Sequence, residues 1–291
     1  MKYKIILIVS ILLIVLSIFW IDFNDKNEKE NSLQIINVQQ YSTKEFEINY
    51  DDKRIYGQLY LPLDTKEKYP LVIISHGLGG NYETGADYAM NLAKQGYAVY
   101  CFDFRGGSAS SKSSGSTLEM SLFTEQDDLN AVIDTLKKRS FIDEKNIFLM
   151  GTSQGGAVSA ITAAKRKDIQ GMILLYPAFV LVDMAQEQFE SVDDIPETYQ
   201  LLWLRVGRVY AEKLLDYDIY EEIKKYQEDV LILHGDEDDI VPLSYSQKAL
   251  DTYPSARLHI LHGAGHGFYG SDATQAIDYI LEYLAGNLEK S

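Results

Sequence analysis

Short apolar runs alternate along this chain with segments of helical periodicity. Over residues 46–61, apolar and polar residues alternate on either side of Asp51-Asp52-Lys53, which predicts an antiparallel hairpin at a sheet edge. Residues 71–74 are continuously apolar and are bounded by Pro70 and His76-Gly77. A run of this kind is typical of a strand that is buried on both faces, as parallel sheets require.

The same alternation continues to the end of the chain. The pattern predicts further strands over residues 98–102, 147–150, 172–176, 230–233 and 257–261, and helices over residues 86–95, 122–138, 157–165 and 274–288. Because strands and helices alternate, we expect an α/β fold built on a doubly wound, mostly parallel sheet.

One interval breaks this alternation. About fifty residues separate the strand at 172–176 from the strand at 230–233, which is more than a simple crossover needs. Residues 178–227 have mixed helical periodicity and predict a small helical cap inserted over the carboxyl ends of the strands, with two ordinary surface helices as the alternative. Several aromatic residues would either line an acyl pocket or form the core of this cap: Tyr199, Trp203, Tyr210, Tyr217 and Tyr220.

An apolar run precedes this pattern at the amino terminus. Residues 5–21 are apolar except for two serines. As a helix with a rise of ~1.5 Å per residue, the run would span about 26 Å, which is close to the thickness of a bilayer core and longer than the usual signal-peptide core. We therefore expect a membrane anchor over residues 1–21, a polar tether over residues 22–40 and an α/β domain over residues 41–291.

Charge and composition indicate on which side of the membrane the body lies and which kinds of partner it can bind. Lys2 and Lys4 precede the apolar run, so the positive-inside rule predicts a body outside the cytoplasm, with cleavage and secretion as the alternative. The net charge of −16 makes nucleic acid an unsuitable partner. The single cysteine, Cys101, lies in an apolar strand and has no partner for an internal disulfide. No Cys/His spacing predicts a metal site, and no motif predicts a cofactor.

Candidate chemistry begins at Gly151-Thr152-Ser153-Gln154-Gly155-Gly156, where an apolar strand meets a helix-forming run. A G-x-S-x-G pattern occurs by chance in many chains, but between a strand and a helix it is typical of a nucleophile elbow. The glycines occupy a sharp turn that side chains would obstruct. The motif therefore predicts Ser153 as a nucleophile at the carboxyl end of a central strand.

A serine nucleophile needs an acid to orient its base, and in this fold the acid follows the serine along the chain. Residues 234–242 follow a buried strand and contain four consecutive carboxylates, Asp236, Glu237, Asp238 and Asp239. We favour Asp238, which precedes an apolar segment and can turn inward, although the spacing leaves the other three open.

The base is expected after the acid, and three histidines follow it. His266 lies between glycines after the last strand, in a loop that can carry it over the sheet. His262 lies at the strand end and His259 lies within the strand, where histidines more often pack or meet solvent. The order and the loop therefore favour His266 as general base.

The oxyanion formed during hydrolysis needs hydrogen-bond donors. Residues 76–81, His-Gly-Leu-Gly-Gly-Asn, open the loop after the first long buried strand, and their glycines let backbone amides point at a ligand. We expect the backbone amides of Leu78 and of Gln154, the residue after the serine, to be the two donors.

These motifs together resemble the α/β-hydrolase superfamily over residues 46–288. The motifs at 75–81, 102–108, 151–156, 234–242 and 265–268 are most similar to those of bacterial cinnamoyl and feruloyl esterases and of monoacylglycerol-lipase-like hydrolases. The resemblance implies Asp238 as the acid, Leu78 and Gln154 as oxyanion donors, and a small cap over the site.

The expected function is hydrolysis of carboxylic esters, of short acyl groups or aromatic acids, through an acyl-enzyme on Ser153. The expected partner is a small-molecule ester, with no cofactor and no metal. A monoacylglycerol-lipase-like or peptidase-like serine hydrolase is the alternative. A membrane-tethered binding protein that kept the fold without the chemistry is the alternative from another class, although it would usually lack a triad residue.

Overall fold

The computed structural model describes residues 40–50 and 52–288. The predicted anchor, and the predicted tether apart from Gln40, lie outside these residues. Within the described ranges, no helix combines the length and the apolar character needed to cross a membrane.

An eight-stranded sheet organises the body. Its order is β1-β4-β6-β5-β7-β8-β11-β12. Strand β4 is antiparallel to both β1 and β6, and all pairs from β6 to β12 in this order are parallel. The strands are β1 (Tyr41–Glu45), β2 (Ile48–Tyr50), β3 (Lys53–Ile55), β4 (Gly57–Pro62), β5 (Tyr69–Ser75), β6 (Ala98–Phe102), β7 (Ile142–Thr152), β8 (Gly171–Leu175), β9 (Thr198–Leu201), β10 (Leu204–Gly207), β11 (Val230–Gly235) and β12 (Ala256–Leu261).

Helices cover both faces of the sheet, which confirms the doubly wound α/β fold. Residues of α2 and α3, such as Val132 and Ile161, pack on one face, and residues of α1 and α8, such as Leu92 and Ile280, pack on the other. The helices are α1 (Ala86–Lys94), α2 (Leu122–Leu136), α3 (Gln154–Ala163), α4 (Val180–Gln188), α5 (Val209–Glu212), α6 (Ile219–Ile223), α7 (Leu243–Thr252) and α8 (Ser271–Gly286).

The parallel order brings the ends of the central strands to one edge. Strands β5, β7, β8, β11 and β12 each end at that edge. Most of these strands have continuous apolar runs that are buried on both faces, although β12 is largely half-buried; Leu71, Val72 and Ile73 of β5, for example, are fully buried. The loops that leave these strands contain all the predicted site residues.

The segment between β8 and β11 is the predicted insertion, and it contains more than helices. Helices α4, α5 and α6 are present, but β9 and β10 form an antiparallel hairpin that the sequence analysis did not predict. Its turn lacks the usual signal because Leu202 adopts a positive φ of 50° where glycine or asparagine is expected. The cap is therefore a mixed α/β insertion rather than a purely helical one.

Most of the insertion's tyrosines are buried in a core that the insertion shares with the body of the fold. Tyr199, Tyr210 and Tyr220 are buried, and the Tyr199 ring packs edge to face on Phe189 at 5.1 Å between centroids. Trp203, at the hairpin turn, is 55% exposed instead. Of the two roles considered for these aromatic residues, core packing therefore applies to the buried tyrosines.

Candidate active site

Ser153 lies at the junction of β7 and α3 in a strained backbone conformation. Its φ of 50° and ψ of −120° are rarely adopted by a residue with a side chain. The turn is possible because its neighbours lack side chains: an added Cβ would lie 2.3 Å from the Ser75 carbonyl oxygen at Gly155, and 2.2 Å from the Gly155 carbonyl oxygen at Gly151. The sequence therefore folds into an elbow that presents the serine hydroxyl.

His266 bridges Ser153 and Asp238. Its Nδ1 lies 2.8 Å from Asp238 Oδ2, and its Nε2 lies 2.9 Å from Ser153 Oγ. Because a carboxylate only accepts hydrogen bonds, Nδ1 carries the ring proton, and Nε2 is left to accept the serine proton. The structure thus brings together the three residues predicted from the sequence.

Asp238 differs from its neighbours in burial and in its number of donors. Its side chain is fully buried, whereas Asp236, Glu237 and Asp239 are exposed. Its Oδ1 accepts hydrogen bonds from the amides of Ile240, at 2.9 Å, and Val241, at 2.8 Å. Burial would raise the pKa of the Asp238 carboxyl, but hydrogen bonds from two histidines and these two amides hold that pKa well below its usual range.

His234 is the second histidine beside Asp238, and the sequence analysis did not predict its role. Its Nε2 lies 3.2 Å from Asp238 Oδ2 and 2.9 Å from the Val241 carbonyl oxygen, so this nitrogen carries the proton. Its Nδ1 accepts from the Ser246 hydroxyl at 2.6 Å. The available signal was a histidine at the end of a buried strand, four residues before the acid.

An aromatic side chain supports the other side of His266. Tyr176 packs its ring on the imidazole at 4.8 Å and on Phe268 at 5.0 Å, both edge to face. Tyr176 follows β8 directly and has a positive φ of 38°. This conformation is rare for a residue with a side chain, and with it the Tyr176 ring lies against His266.

The Leu78 amide is directed by the peptide group that precedes it. The Gly77 carbonyl accepts from His76 Nδ1 at 2.8 Å and from the Gly80 amide at 3.0 Å. His76 holds its proton on Nδ1 because its Nε2 accepts from the Phe104 amide at 3.1 Å. In a trans peptide the N–H points away from the carbonyl, so fixing the Gly77 carbonyl fixes the Leu78 N–H.

The Gln154 amide is fixed in the same way. The Ser153 carbonyl accepts from the amides of Gly156 and Ala178 at 3.0 and 2.9 Å. In the part of the chain that the structure describes, neither the Gln154 amide nor the Leu78 amide donates to a protein acceptor. Both predicted donors are therefore available to a bound oxyanion.

Ser153 opens into a cavity of about 320 Å³. Trp203 borders this cavity and donates from Nε1 to the Leu78 carbonyl at 3.1 Å, which connects the insertion to the oxyanion loop. Apart from His266, no ionisable acid or base other than tyrosine is among the described residues that line it. The lining residues are Gly77, Leu78, Gly80, Thr84, Thr152, Ser153, Tyr176, Trp203, Ile240, His266, Gly267 and Tyr269.

The described residues contain no cluster of side chains suited to bind a metal ion. Over residues 40–50 and 52–288, no three side chains of histidine, cysteine, aspartate or glutamate converge as a bound metal ion would require. Cys101 belongs to β6 and is buried, and burial raises the pKa of its thiol. The groups that meet at the site are the Ser153 hydroxyl, the His266 imidazole and the Asp238 carboxylate.

Two family models match successive parts of the chain. The family model described as serine aminopeptidase, S33, matches residues 66–216, and the model described as TAP-like protein matches residues 216–290. An uncharacterised protein of Mycobacterium tuberculosis is 26% identical over 72% of this chain and 67% of its own length. Monoglyceride lipase of Rattus norvegicus is 25% identical over 65% of this chain and 60% of its own length.

A solved structure is similar to this chain over most of its length. Est1E from Butyrivibrio proteoclasticus, with ferulic acid bound, matches 84% of this chain and 100% of that chain, with 27% identity and a TM-score of 0.77. The fold, the motifs and the S33 match over more than half of the sequence agree with one another. The chain therefore belongs to the serine aminopeptidase S33 family, whose members have the α/β-hydrolase fold.

Proposed function

We propose that this protein is a serine hydrolase that cleaves carboxylic esters of short acyl groups or aromatic acids. The observation that carries the proposal is the position of the His266 imidazole, whose two nitrogens lie 2.9 Å from Ser153 Oγ and 2.8 Å from Asp238 Oδ2. A hydroxyl hydrogen-bonded to an imidazole that is oriented by a buried carboxylate is the arrangement that activates serine for acyl transfer.

The first half of the reaction forms an acyl-enzyme. His266 Nε2 removes the proton from Ser153 Oγ as the oxygen attacks the ester carbonyl, and Asp238 stabilises the imidazolium that results. The carbonyl oxygen becomes an oxyanion, which the amides of Leu78 and Gln154 stabilise. His266 then gives its proton to the alcohol oxygen as the bond to the acyl carbon breaks.

Water completes the cycle. His266 removes a proton from a water molecule as its oxygen attacks the acyl carbon, and the same two amides stabilise the second oxyanion. Collapse of this intermediate returns the proton to Ser153 Oγ and releases the carboxylic acid. The low pKa of Asp238 keeps it ionised throughout, so it can stabilise the imidazolium in both halves.

The cavity favours an ester over an amino-terminal peptide. A peptide's free ammonium group requires a carboxylate or comparable acceptors, and the described lining of the cavity offers no aspartate or glutamate. Its apolar and aromatic side chains suit an acyl group without charge. The ferulic acid bound to Est1E and the monoglyceride lipase among the relatives support the same choice.

The location is part of the proposal. We propose that residues 1–21 anchor the protein in the membrane and hold the hydrolase domain outside the cytoplasm, because lysines precede an apolar run long enough to span a bilayer. Removal of residues 1–39 should release an active domain from the membrane fraction. Equal partition of the full and shortened chains would contradict the anchor.

The direct test is Ser153→Ala, with Ser159→Ala as the matched control. Ser159 is a buried serine of α3 whose hydroxyl has no partner among the described residues. We expect Ser153→Ala to abolish both p-nitrophenyl ester hydrolysis and labelling by a fluorophosphonate probe, and Ser159→Ala to retain both. Persistent hydrolysis in Ser153→Ala, or a wild-type protein that does not label, would overturn the proposal.

A substrate panel tests the ester class. We would compare p-nitrophenyl esters of increasing acyl length, methyl ferulate, a monoacylglycerol and an aminoacyl amide. The highest kcat/KM is expected for a short or an aromatic ester. A maximum for the monoacylglycerol would favour the lipase-like alternative, and a maximum for the amide would favour the peptidase-like one. Absence of both labelling and turnover would point toward the binding-protein alternative.

A further inference from the structure

The Gln154 side chain lies in a buried hydrogen-bonded cluster that the reaction described above does not use. Its Nε2 donates to Glu125 Oε2 at 2.8 Å and contacts Met120 Sδ at 3.6 Å. Its Oε1 accepts from the Tyr210 hydroxyl at 2.7 Å. Gln154, Glu125 and Tyr210 are all at most 1% exposed, and they come from three different parts of the chain.

Glu125 is a buried acid in this cluster. Burial raises the pKa of its carboxyl well above the usual range, and the hydrogen bond from Gln154 opposes that effect only in part. Arg105 pairs with Asp128 of the same helix rather than with Glu125. Its Oε1 has no partner among the described residues. A neutral carboxyl can accept a hydrogen bond here without the cost of burying a charge.

Tyr210 connects the cluster to the insertion. It belongs to α5, which follows the hairpin that carries Trp203 at the border of the cavity. Glu125 belongs to α2, which packs beside α3 on the body of the fold. Gln154 is the first residue of α3, so its side chain joins the insertion to the body at the residue that supplies an oxyanion amide.

We propose that Glu125 and Tyr210 are positioning residues that hold Gln154 from opposite ends of its amide group and thereby fix the oxyanion donor and the insertion relative to Ser153. This inference rests on the proposed function, because the Gln154 amide matters only if an oxyanion forms. The two side-chain bonds restrict movement of Gln154 and therefore of its backbone N–H. If this N–H is displaced, it stabilises the transition state less, whereas binding of the ester changes little.

The test compares four variants of the full-length chain on one p-nitrophenyl ester. Glu125→Leu and Tyr210→Phe each remove one bond to Gln154, and we expect each to lower kcat about tenfold with KM changed less than about twofold. Glu125→Gln keeps a neutral acceptor, so its kcat should stay within about threefold of wild type. Tyr283→Phe is the matched control, because Tyr283 is a buried tyrosine whose hydroxyl bonds Asp229 and Met172 instead.

The double variant Glu125→Leu with Tyr210→Phe separates positioning from general loosening. If both residues act through Gln154, the double variant should lose little more kcat than the worse single variant, because loss of one hydrogen bond already frees the Gln154 side chain. Should Glu125→Leu fail to fold, Tyr210→Phe and Glu125→Gln still decide the question.

Several results would overturn the inference. They are an unchanged kcat in Tyr210→Phe, a rise in KM that accounts for the whole loss, a Glu125→Gln variant as slow as Glu125→Leu, or an equal loss of kcat in Tyr283→Phe. If wild type labels with a fluorophosphonate and hydrolyses the ester, such results count against the inference alone. If wild type does neither, the proposed function fails, and the positioning role fails with it.

Discussion

The cavity is bordered by two regions that hold their side chains in different ways. At the edge of the parallel sheet, the reactive groups follow the carboxyl ends of the strands, and backbone hydrogen bonds help to hold them, as the amides of Ile240 and Val241 hold Asp238. In the insertion, strands and helices are short, and aromatic packing between side chains such as Phe189 and Tyr199 stabilises them. Of the insertion's residues that the structure describes, Trp203 is the one that lines the cavity.

This difference separates chemistry from recognition. Atoms that must be placed within a few tenths of an ångström lie on loops anchored to the sheet, where a change of backbone is costly. The insertion contributes one exposed ring at the cavity and one buried hydrogen bond, from Tyr210 to Gln154. We expect substitutions in the first region to lower kcat and substitutions in the second, apart from Tyr210, to change KM.

The largest effect is expected at Asp238. Asp238→Asn retains the shape of the side chain but removes the charge and favours the wrong ring proton on His266, so kcat should fall about 10³-fold or more. Asp236→Asn is the matched control, because Asp236 is exposed in the same loop and pairs with His262. Steady-state kinetics and the rate of fluorophosphonate labelling measure both. Comparable losses in the two variants would remove the distinction between the buried acid and its neighbours.

A structural change at the elbow should rank next. Gly155→Ala would place a Cβ within 2.3 to 2.4 Å of the carbonyl oxygens of Ser75 and His76. Relief of this overlap would require the backbone to move. We expect a loss of about 3 kcal/mol or more in the free energy of unfolding. Gly286→Ala is the control, because nothing lies near its Cβ position at the end of α8. Urea denaturation measures both, and a tolerated Gly155→Ala would contradict the close packing of the elbow.

An intermediate and pH-dependent effect is expected at Glu125, which links the two regions through Gln154. Its folded-state pKa is raised by burial, so folded and unfolded chains both carry the proton below about pH 4. As pH rises further, the unfolded chain loses the proton and wild type is progressively destabilised. Glu125→Gln does not titrate, so it should gain about 1.4 kcal/mol over wild type per pH unit until the pH reaches the folded pKa.

Denaturant unfolding at several pH values between 4 and 8 measures this gain. Glu119→Gln is the control, because Glu119 is an exposed glutamate close to the same helix. A constant difference for Glu125→Gln across this range would mean that the carboxyl is not held neutral.

The smallest effect is expected in the insertion. Trp203→Phe removes the hydrogen bond to the Leu78 carbonyl and reduces the aromatic surface at the cavity. We expect KM for an aromatic ester to rise about threefold to tenfold, while kcat for a p-nitrophenyl acetate changes less than about twofold. A loss of kcat as large as that of Asp238→Asn would show that recognition and chemistry are not separated as we describe.

The sequence predicts the sheet and its reactive edge well, because both depend on local signals. Continuous apolar runs such as that at residues 71–74 identify buried strands, and glycines mark the turns around Ser153 and His266. The helix α7 was missed because its apolar face is short and it follows directly on the acid loop. The β9–β10 hairpin was missed because its turn has no glycine or asparagine. Leu202 has the positive φ at the position where one of those residues would indicate a turn.

The supporting residues of the site could not be predicted for a different reason. His234, Glu125 and Tyr210 act through contacts between segments distant in sequence, and neither spacing nor periodicity records such contacts. Glu125 in particular occupies a helix pattern in which a glutamate would normally face solvent. Burial of a carboxyl group is a property of tertiary packing, so it becomes visible only in the assembled fold.

The position of Trp203 gives this protein an internal optical reporter. The chain contains two tryptophans, and the other, Trp20, lies in the predicted anchor. With Trp20→Phe, all indole emission would come from a ring at the cavity border whose Nε1 bonds the carbonyl of the oxyanion loop. Occupation of the cavity would therefore change the emission of a single fluorophore, and acyl-enzyme formation could be followed in real time without a chromogenic leaving group.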